Sequence, residues 1–439
     1  MRDNTDKVFF VVAMTVMLLL LLHWIPATTV GGWDLRSVDI LSQLSDTTWR
    51  NPLTENPSAT QTTATRSFPH LDDYSSDHSM ALFFARLDSL KSRQTMGRPV
   101  RIAIFGDSFV EGDIVIGELR ELLQSRYGGC GVGWIDAGNE QTALRTTFWA
   151  DAKGLDEHMA MKHDGYDASR AALSMRYYTI NAPVASFTGH GVKAYPHAAR
   201  WQQATLFLKT NSGVTVSSYD GGRSFERNIQ PSQHVQTVSL PVVPAQADSL
   251  HKYNPMNISF SVRGRGDIYG VALESADGVI VDNFSMRGES GVKLGRLPAA
   301  TLREFQALRP YDLIVLQYGA NVIDSKTTDA DLDWFRRGMG KTLAFLHSAV
   351  PDVPVLIVST PDRGDRRDGE VCTMQSVHLL VGVQQQIAKE HHVAFYNLFE
   401  AMGGENSIAR LYKKNHCNKD LIHLTISGGK EVAHRILDK

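Results

Sequence analysis

The residues of this sequence best suited to chemistry fall in four short stretches: Gly106-Asp107-Ser108, Arg287-Gly288-Glu289-Ser290, Tyr318-Gly319-Ala320-Asn321 and Asp420-Leu421-Ile422-His423. A serine hydroxyl attacks a carbonyl only when a base takes its proton, and the base works best when a third group fixes its tautomer and stabilises its cation. Ser108 supplies a hydroxyl, His423 an imidazole and Asp420 a carboxylate three residues before it. The transition state also needs donors aimed at the developing oxyanion. A glycine at 288 lets backbone approach such an oxygen closely, and Asn321 brings a side-chain amide. Together these residues suit acyl transfer through a covalent serine ester.

Each stretch also has a plainer reading. Ser108 could cap a helix, Gly288 could serve a turn, and Asn321 could form a local turn. Asp420 and His423 could be solvated surface groups. The combined reading rests on their order and on their placement at strand-to-helix junctions. Asp107 reads as a turn or capping residue, and Glu111 and Asp113 as either cleft-lining or capping groups. His391 and His392 lack a metal-ligand pattern, so neither metal nor cofactor is expected.

The elements that must position these residues alternate. An apolar strand, Val100 to Phe105, stops at Gly106-Asp107-Ser108, and a helical pattern follows from Ile114 to Tyr127. Strands at Gly278 to Phe284, Asp312 to Gln317, Pro354 to Ser359 and Val393 to Tyr396 then alternate with helices at Leu297 to Leu308, Asp331 to Ala349, Val371 to Glu390 and Ser427 to Leu437. Such alternation predicts an α/β fold, a parallel sheet covered on both faces. Ser108 would then sit at the carboxyl edge, where ligands bind in open parallel sheets.

Between these halves the pattern changes. Short strand-like runs, including Ala204 to Lys209, Val214 to Tyr219, Gln236 to Pro241 and Asn257 to Val262, are separated by Gly, Asn, Asp and Ser turns. They predict an inserted all-β, sandwich-like domain over 139–270, dividing the α/β domain into 79–138 and 271–439. In the insertion Trp201, Tyr219 and Phe225 are candidates either for stacking on sugar rings or for core and turn roles.

The apolar run from Val8 to Pro26 is long enough to cross hydrocarbon at about 1.5 Å per residue. It is expected to be an N-terminal transmembrane helix within residues 1–27, with a cleaved signal peptide as the alternative. Residues 28–78, rich in Thr, Ser, Asp and Pro, read as a tether. The catalytic part would then face the periplasm or exterior. A net charge of −2 over 439 residues gives no footprint for nucleic acid. Three cysteines are too few for a disulfide scaffold, although Cys372 and Cys417 could pair in an oxidising compartment and brace the loop before Asp420.

The four stretches resemble the four blocks of the SGNH (GDSL-like) hydrolase superfamily, over about Arg101 to Trp134 and from Val279 to the C-terminus. The resemblance implies a flavodoxin-like three-layer fold, with Ser108 as nucleophile, His423 as base and Asp420 as its orienting acid. It assigns the oxyanion hole to Ser108, Gly288 and Asn321. The tail His423-Leu424-Thr425-x-x-Gly428 is similar to the usual continuation. Val322 follows Asn321, where many members have Asp, and the insertion separates blocks that are usually close.

The longer run Gly106-Asp107-Ser108-Phe109-Val110-Glu111-Gly112-Asp113, followed by Gly131-Val132-Gly133-Trp134, is similar to bacterial peptidoglycan O-acetylesterases with an inserted carbohydrate-module-like β domain. This likeness implies an esterase acting on an acetylated polysaccharide of the bacterial cell envelope, a substrate that the expected inner-membrane anchor fits. A lipase or thioesterase, an O-acetyltransferase and a non-catalytic glycan-binding protein remain the alternatives.

Overall fold

The computed structural model describes residues 28–30, 33–35, 71–75, 79–92, 97–162, 165–220, 223–244 and 254–437. The expected transmembrane helix and most of the expected tether lie outside them. Among the described residues no helix is long and apolar enough to cross a membrane. The chain divides into two units, Met1–Arg66 and Ser67–Lys439. Within the first, Thr28–Val30 pairs antiparallel with Trp33–Leu35.

In the second unit the central sheet has six strands: β1 (Leu71–Asp73), β2 (Val100–Gly106), β3 (Val279–Asn283), β4 (Leu313–Gln317), β5 (Val355–Val358) and β6 (Ala394–Tyr396). Their order is β3-β2-β4-β5-β6-β1, parallel except for the β1 edge. β1 falls inside the segment read as tether. Three residues of polar character carry too short a period to show in sequence, yet their backbone covers the outer edge of β6.

Side chains of β2 alternate between two cores, as strand geometry requires. Ala103 and Phe105 pack with helices α3 (Ala299–Leu308), α4 (Asp333–Ala349) and α5 (Ser376–Glu390). Val100, Ile102 and Ile104 pack on the other face with α1 (Ser79–Lys91), α2 (Ile116–Tyr127) and α6 (Ile426–Leu437). The result is the expected three-layer α/β arrangement. The helix expected from Val371 begins later, at Ser376, because Glu370–Thr373 instead pairs with Gly364–Arg367 in a hairpin. Cys372 lies in that hairpin, and all three cysteines are free.

The insertion is built from two sheets. One contains Gln236–Leu240, Gln203–Lys209, Asp267–Glu274, Arg176–Ile180 and Leu155–Met159 in order, with Gly133–Asp136 also paired to Asp267–Glu274. The other runs Arg223–Ile229, Val214–Asp220, Asn257–Gly264, Val184–Gly191 and Phe148–Lys153. Apolar residues from both, among them Phe187, Leu206, Phe260 and Val271, form a common core. The sheets begin at Gly133 and end at Glu274, outside the 139–270 read from composition. Gly133–Asp136 continues the Gly131-Val132-Gly133-Trp134 run that sequence groups with the α/β half.

The insertion is not a loosely hung module. Trp134 and Phe207 pack at 5.0 Å between ring centroids, and Trp134 also meets Phe284 and Phe305 of the α/β domain at 6.0 and 6.1 Å. Buried ions reinforce this contact. Arg309 donates to Asp282 on β3 at 2.8 and 3.0 Å and to Glu274 at 2.7 Å, while Arg101 on β2 donates to Glu274 at 2.7 and 3.0 Å.

Candidate active site

Three loops leave the carboxyl ends of β2, β3 and β4 and are registered on one another by backbone bonds. Met286 N donates to Gly106 O at 2.9 Å, which draws the Arg287-Gly288 turn beside the end of β2. Asp107 N donates to Gln317 O at 3.3 Å. The Asp107 carboxylate then accepts from Phe109 N, Gly319 N and Ala320 N, each at 2.9 Å. Asp107 therefore shapes its own turn and holds the loop that carries Asn321. Burial drives its pKa up to about 6, with the three amides pulling the other way.

His423 comes from the loop before α6. Its Nε2 is 2.7 Å from Ser108 Oγ and its Nδ1 is 2.8 Å from Asp420 Oδ2. The Asp420 Oδ1 atom accepts from Ile422 N and His423 N, both at 3.0 Å. Burial pushes the Asp420 carboxyl up, but His423 and these amides outweigh it and leave the pKa below the usual carboxylate range. The tight loop requires Leu421 to adopt φ +60°, which costs a branched residue about 1–2 kcal/mol. Its carbonyl accepts from Gly364 N at 2.8 Å, and its side chain is buried, so packing offsets that strain.

Ser108, Asn321, Asp420 and His423 border one open cleft of about 630 Å³. Asn321 is exposed there, with Nδ2 donating to Glu289 O at 3.3 Å. Gly288 is exposed with φ +80°, a conformation that favours glycine. It does not itself border the cleft, although its neighbour Arg287 does. Leu144, Asn418 and Glu111 also line the walls. Leu144 and Asn418 carried no sequence signal, because their place in the cleft depends on contacts made far along the chain.

The cleft wall is joined to the insertion at the turn after Ser108. Gly112 has φ +70°, and a β-carbon there would stand 2.5 Å from Leu144 O. Its carbonyl accepts from Thr146 N at 2.9 Å and Thr146 Oγ1 at 3.0 Å. The neighbouring Asp113 is fully buried and accepts from Arg120 at 3.0 Å, Asn283 at 2.8 Å, Arg145 at 3.4 Å and the Thr147 hydroxyl. Burial raises its pKa, but the two guanidinium groups prevail and hold it far below the usual range. Asp113 is thus a structural anchor away from the cleft, and Glu111 is the wall residue.

Of the aromatic residues considered for sugar stacking, Trp201 is buried in the sandwich core. Phe225 packs partly against that core, and Tyr219 is exposed. Among the described residues no group of three or more His, Cys, Asp or Glu could hold a metal ion.

No family model matches the chain, and no curated protein matches its sequence. Solved structures do. A peptidoglycan O-acetylesterase superposes with a TM-score of 0.63 at 18% identity, over 84% of this chain and 97% of that one. An acetylxylan esterase from Geobacillus stearothermophilus aligns over 37% of this chain and 72% of its own, with 17% identity and a TM-score of 0.27. The first likeness establishes a shared fold, and the motif resemblance to SGNH hydrolases agrees with it at that level.

Proposed function

We propose that this chain is a serine esterase that removes O-acetyl groups from a cell-envelope glycan, with peptidoglycan the foremost substrate. The observation that carries the chemistry is His423 bridging Ser108 and Asp420 at 2.7 and 2.8 Å. In this mechanism His423 Nε2 takes the Ser108 proton as Oγ attacks the acetyl carbonyl. The Asn321 amide and the Ser108 N–H receive the oxyanion; Gly288, next to the cleft-lining Arg287 but not itself on the cleft wall, is assigned the third donor by the motif resemblance alone. The intermediate collapses, the sugar oxygen leaves with the proton from His423, and acetyl remains on Ser108. Water, deprotonated by the same imidazole, then releases acetate and restores the serine.

The choice of substrate rests on the cleft and on the fold. Long acyl chains need a deep apolar tunnel, whereas this cleft is open and its walls carry Glu111, Arg287, Asn321 and Asn418. Its fold is shared with a protein described as a peptidoglycan O-acetylesterase. The apolar run Val8 to Pro26 supports anchoring at the inner membrane, with the enzyme outside the cytoplasm.

The decisive measurement is acetate release from O-acetylated peptidoglycan, compared with acetylated xylan and with short and long nitrophenyl esters. Ser108→Ala should lower kcat by about 10⁴-fold or more while leaving the melting temperature nearly unchanged. Undiminished turnover in that variant removes Ser108 from the reaction, and release from long esters alone replaces the glycan with a lipid.

A further inference from the structure

The loop that carries Asn321 is held from two sides. Gly319 N and Ala320 N donate to the Asp107 carboxylate at 2.9 Å, which fixes the loop by its amides. Arg363, in the segment after β5, fixes it by its carbonyls: Nη1 donates to Ala320 O at 3.0 Å and also to Ile323 O. These two oxygens bracket Asn321. The Ala320 carbonyl shares a rigid peptide plane with the Asn321 nitrogen, so Asp107 and Arg363 together pin the chain up to the Asn321 α-carbon. The side chain's own bond is weaker, since Nδ2 meets Glu289 O at 3.3 Å, beyond the usual range of about 2.7–3.2 Å. Arg363 is anchored in turn. Its carbonyl accepts from Met374 N at 2.8 Å, just before α5, and the next residue, Gly364, donates its N–H to Leu421 O at 2.8 Å, between Asp420 and His423. One short segment thus braces both the Asn321 loop and the loop of the acid and the base.

We propose that Arg363 is a positioning residue for the oxyanion hole, whose guanidinium holds Asn321 aimed at the cleft before substrate arrives. The inference rests on the esterase reading above, in which the Asn321 amide receives the oxyanion, and adds a residue to it. Such donors accelerate a reaction only when they are already in place as charge develops, and a site is as precise as the shell that supports it. Water could satisfy the two carbonyls without fixing their direction; a planar guanidinium on an anchored backbone fixes both at once. The arrangement is costly for an arginine. Arg363 is half-buried, its Nε has no hydrogen-bond partner, and burial pulls its pKa down against the opposing carboxylates of Asp324, Asp420 and Asp365. Arg363 does not border the cleft, so its influence reaches the reaction through Asn321.

The test is a double-mutant cycle on the full chain, read in kcat and KM for nitrophenyl acetate. Arg363→Gln should lower kcat by about 10–100-fold with KM changed by less than about two-fold, as expected when a transition-state donor is misplaced. In an Asn321→Ala background the same substitution should cost less than about two-fold, because the donor it aims is gone. Arg363→Lys keeps the charge on a more flexible stem and should recover part of the loss. Should Arg363→Gln fold poorly, its melting temperature reports this, and Arg363→Lys carries the same cycle with a smaller loss. A kcat unchanged by these substitutions, a loss that is equal in both backgrounds, or a rise in KM alone overturns the inference and leaves the esterase reading intact. If Asn321→Ala by itself leaves kcat unchanged, the oxyanion role of Asn321 falls and this inference with it. Undiminished turnover in Ser108→Ala overturns the esterase reading itself.

Discussion

Asp107 and Ala320 lie 213 residues apart, yet the carboxylate of one accepts the amide N–H of the other at 2.9 Å. With the matching bond from Gly319, this contact joins the loop of Ser108, the proposed nucleophile, to the loop of Asn321, the proposed oxyanion donor. Asp107 belongs to the same tripeptide as Ser108 but touches no reacting atom. Under the proposed mechanism its effect on catalysis runs through where Asn321 stands.

The raised pKa of Asp107 has a consequence for stability. With a value of about 6 in the folded protein against 3.8 for the free side chain, the folded state binds more protons between those limits. Its contribution is therefore full below pH 3.8 and is lost as pH rises through about 6. At about 1.4 kcal/mol per pKa unit this amounts to about 3 kcal/mol. Relative to Asp107→Asn, wild-type stability in urea should fall by up to that amount from pH 4 to pH 7. The same variant turns an amide NH2 toward backbone donors, so kcat should drop by about 10–100-fold.

Under the proposed mechanism, Asn321→Ala removes one oxyanion donor without disturbing the Ser108–His423–Asp420 contacts. Steady-state kinetics on a nitrophenyl acetate should show kcat lowered by about 10²–10³-fold with KM little altered. A rise in KM alone would reassign Asn321 to substrate binding.

Asp420→Asn should preserve the backbone contacts of the loop in part but lose the acceptor that fixes His423 Nδ1–H. A fall in kcat of about 10⁴-fold is expected, as for other orienting carboxylates. The lowered pKa of Asp420 sets the sign of its pH effect: the ionised, orienting form persists through the ordinary carboxylate range and is lost only as pH falls below it. Activity losses on mild acidification should therefore be absent from this group.

Asp113→Asn tests the buried anchor. Arg120 and Arg145 both have side chains with 0% exposure and share this one carboxylate. Removing it strands two cations, so unfolding in denaturant should reveal a loss of about 3–5 kcal/mol. Retention of full stability would mean that water or another acceptor reaches the site.

Much of the site was legible because its residues sit at the ends of strongly patterned elements. Ser108, Asn321 and His423 each follow or precede a segment whose apolar spacing fixes where it ends, and the α/β order fixes which edge they share. The walls were harder to read. Glu111 could be read as either a cap or a cleft residue, and only its contact with Arg287, 176 residues away, decides between them. Leu144 reaches the cleft through the fold of the insertion against Gly112, and β1 pairs with β6 across more than three hundred residues of chain, an order set by β6 at 394–396 and β1 at 71–73. Periodicity reports local burial and carries no record of such partners. Trp201 illustrates the same limit in reverse: an aromatic in a turn-rich stretch looks available for ligands until its sheet partners enclose it.

The anchoring of Gly112 and Asp113 by residues 144–147 also governs how this chain can be shortened or recombined. Cutting out residues 133–274 and closing the gap with a turn would strip Arg145 and Thr147 from Asp113 and the Thr146 donors from the Gly112 carbonyl, four residues from the nucleophile. A trimmed enzyme would keep every triad side chain and still lack the mould that holds their turn. The smallest piece expected to retain activity therefore keeps the β sandwich, and transplanting that sandwich to another hydrolase requires its socket, Glu111 to Asp113, to travel with it.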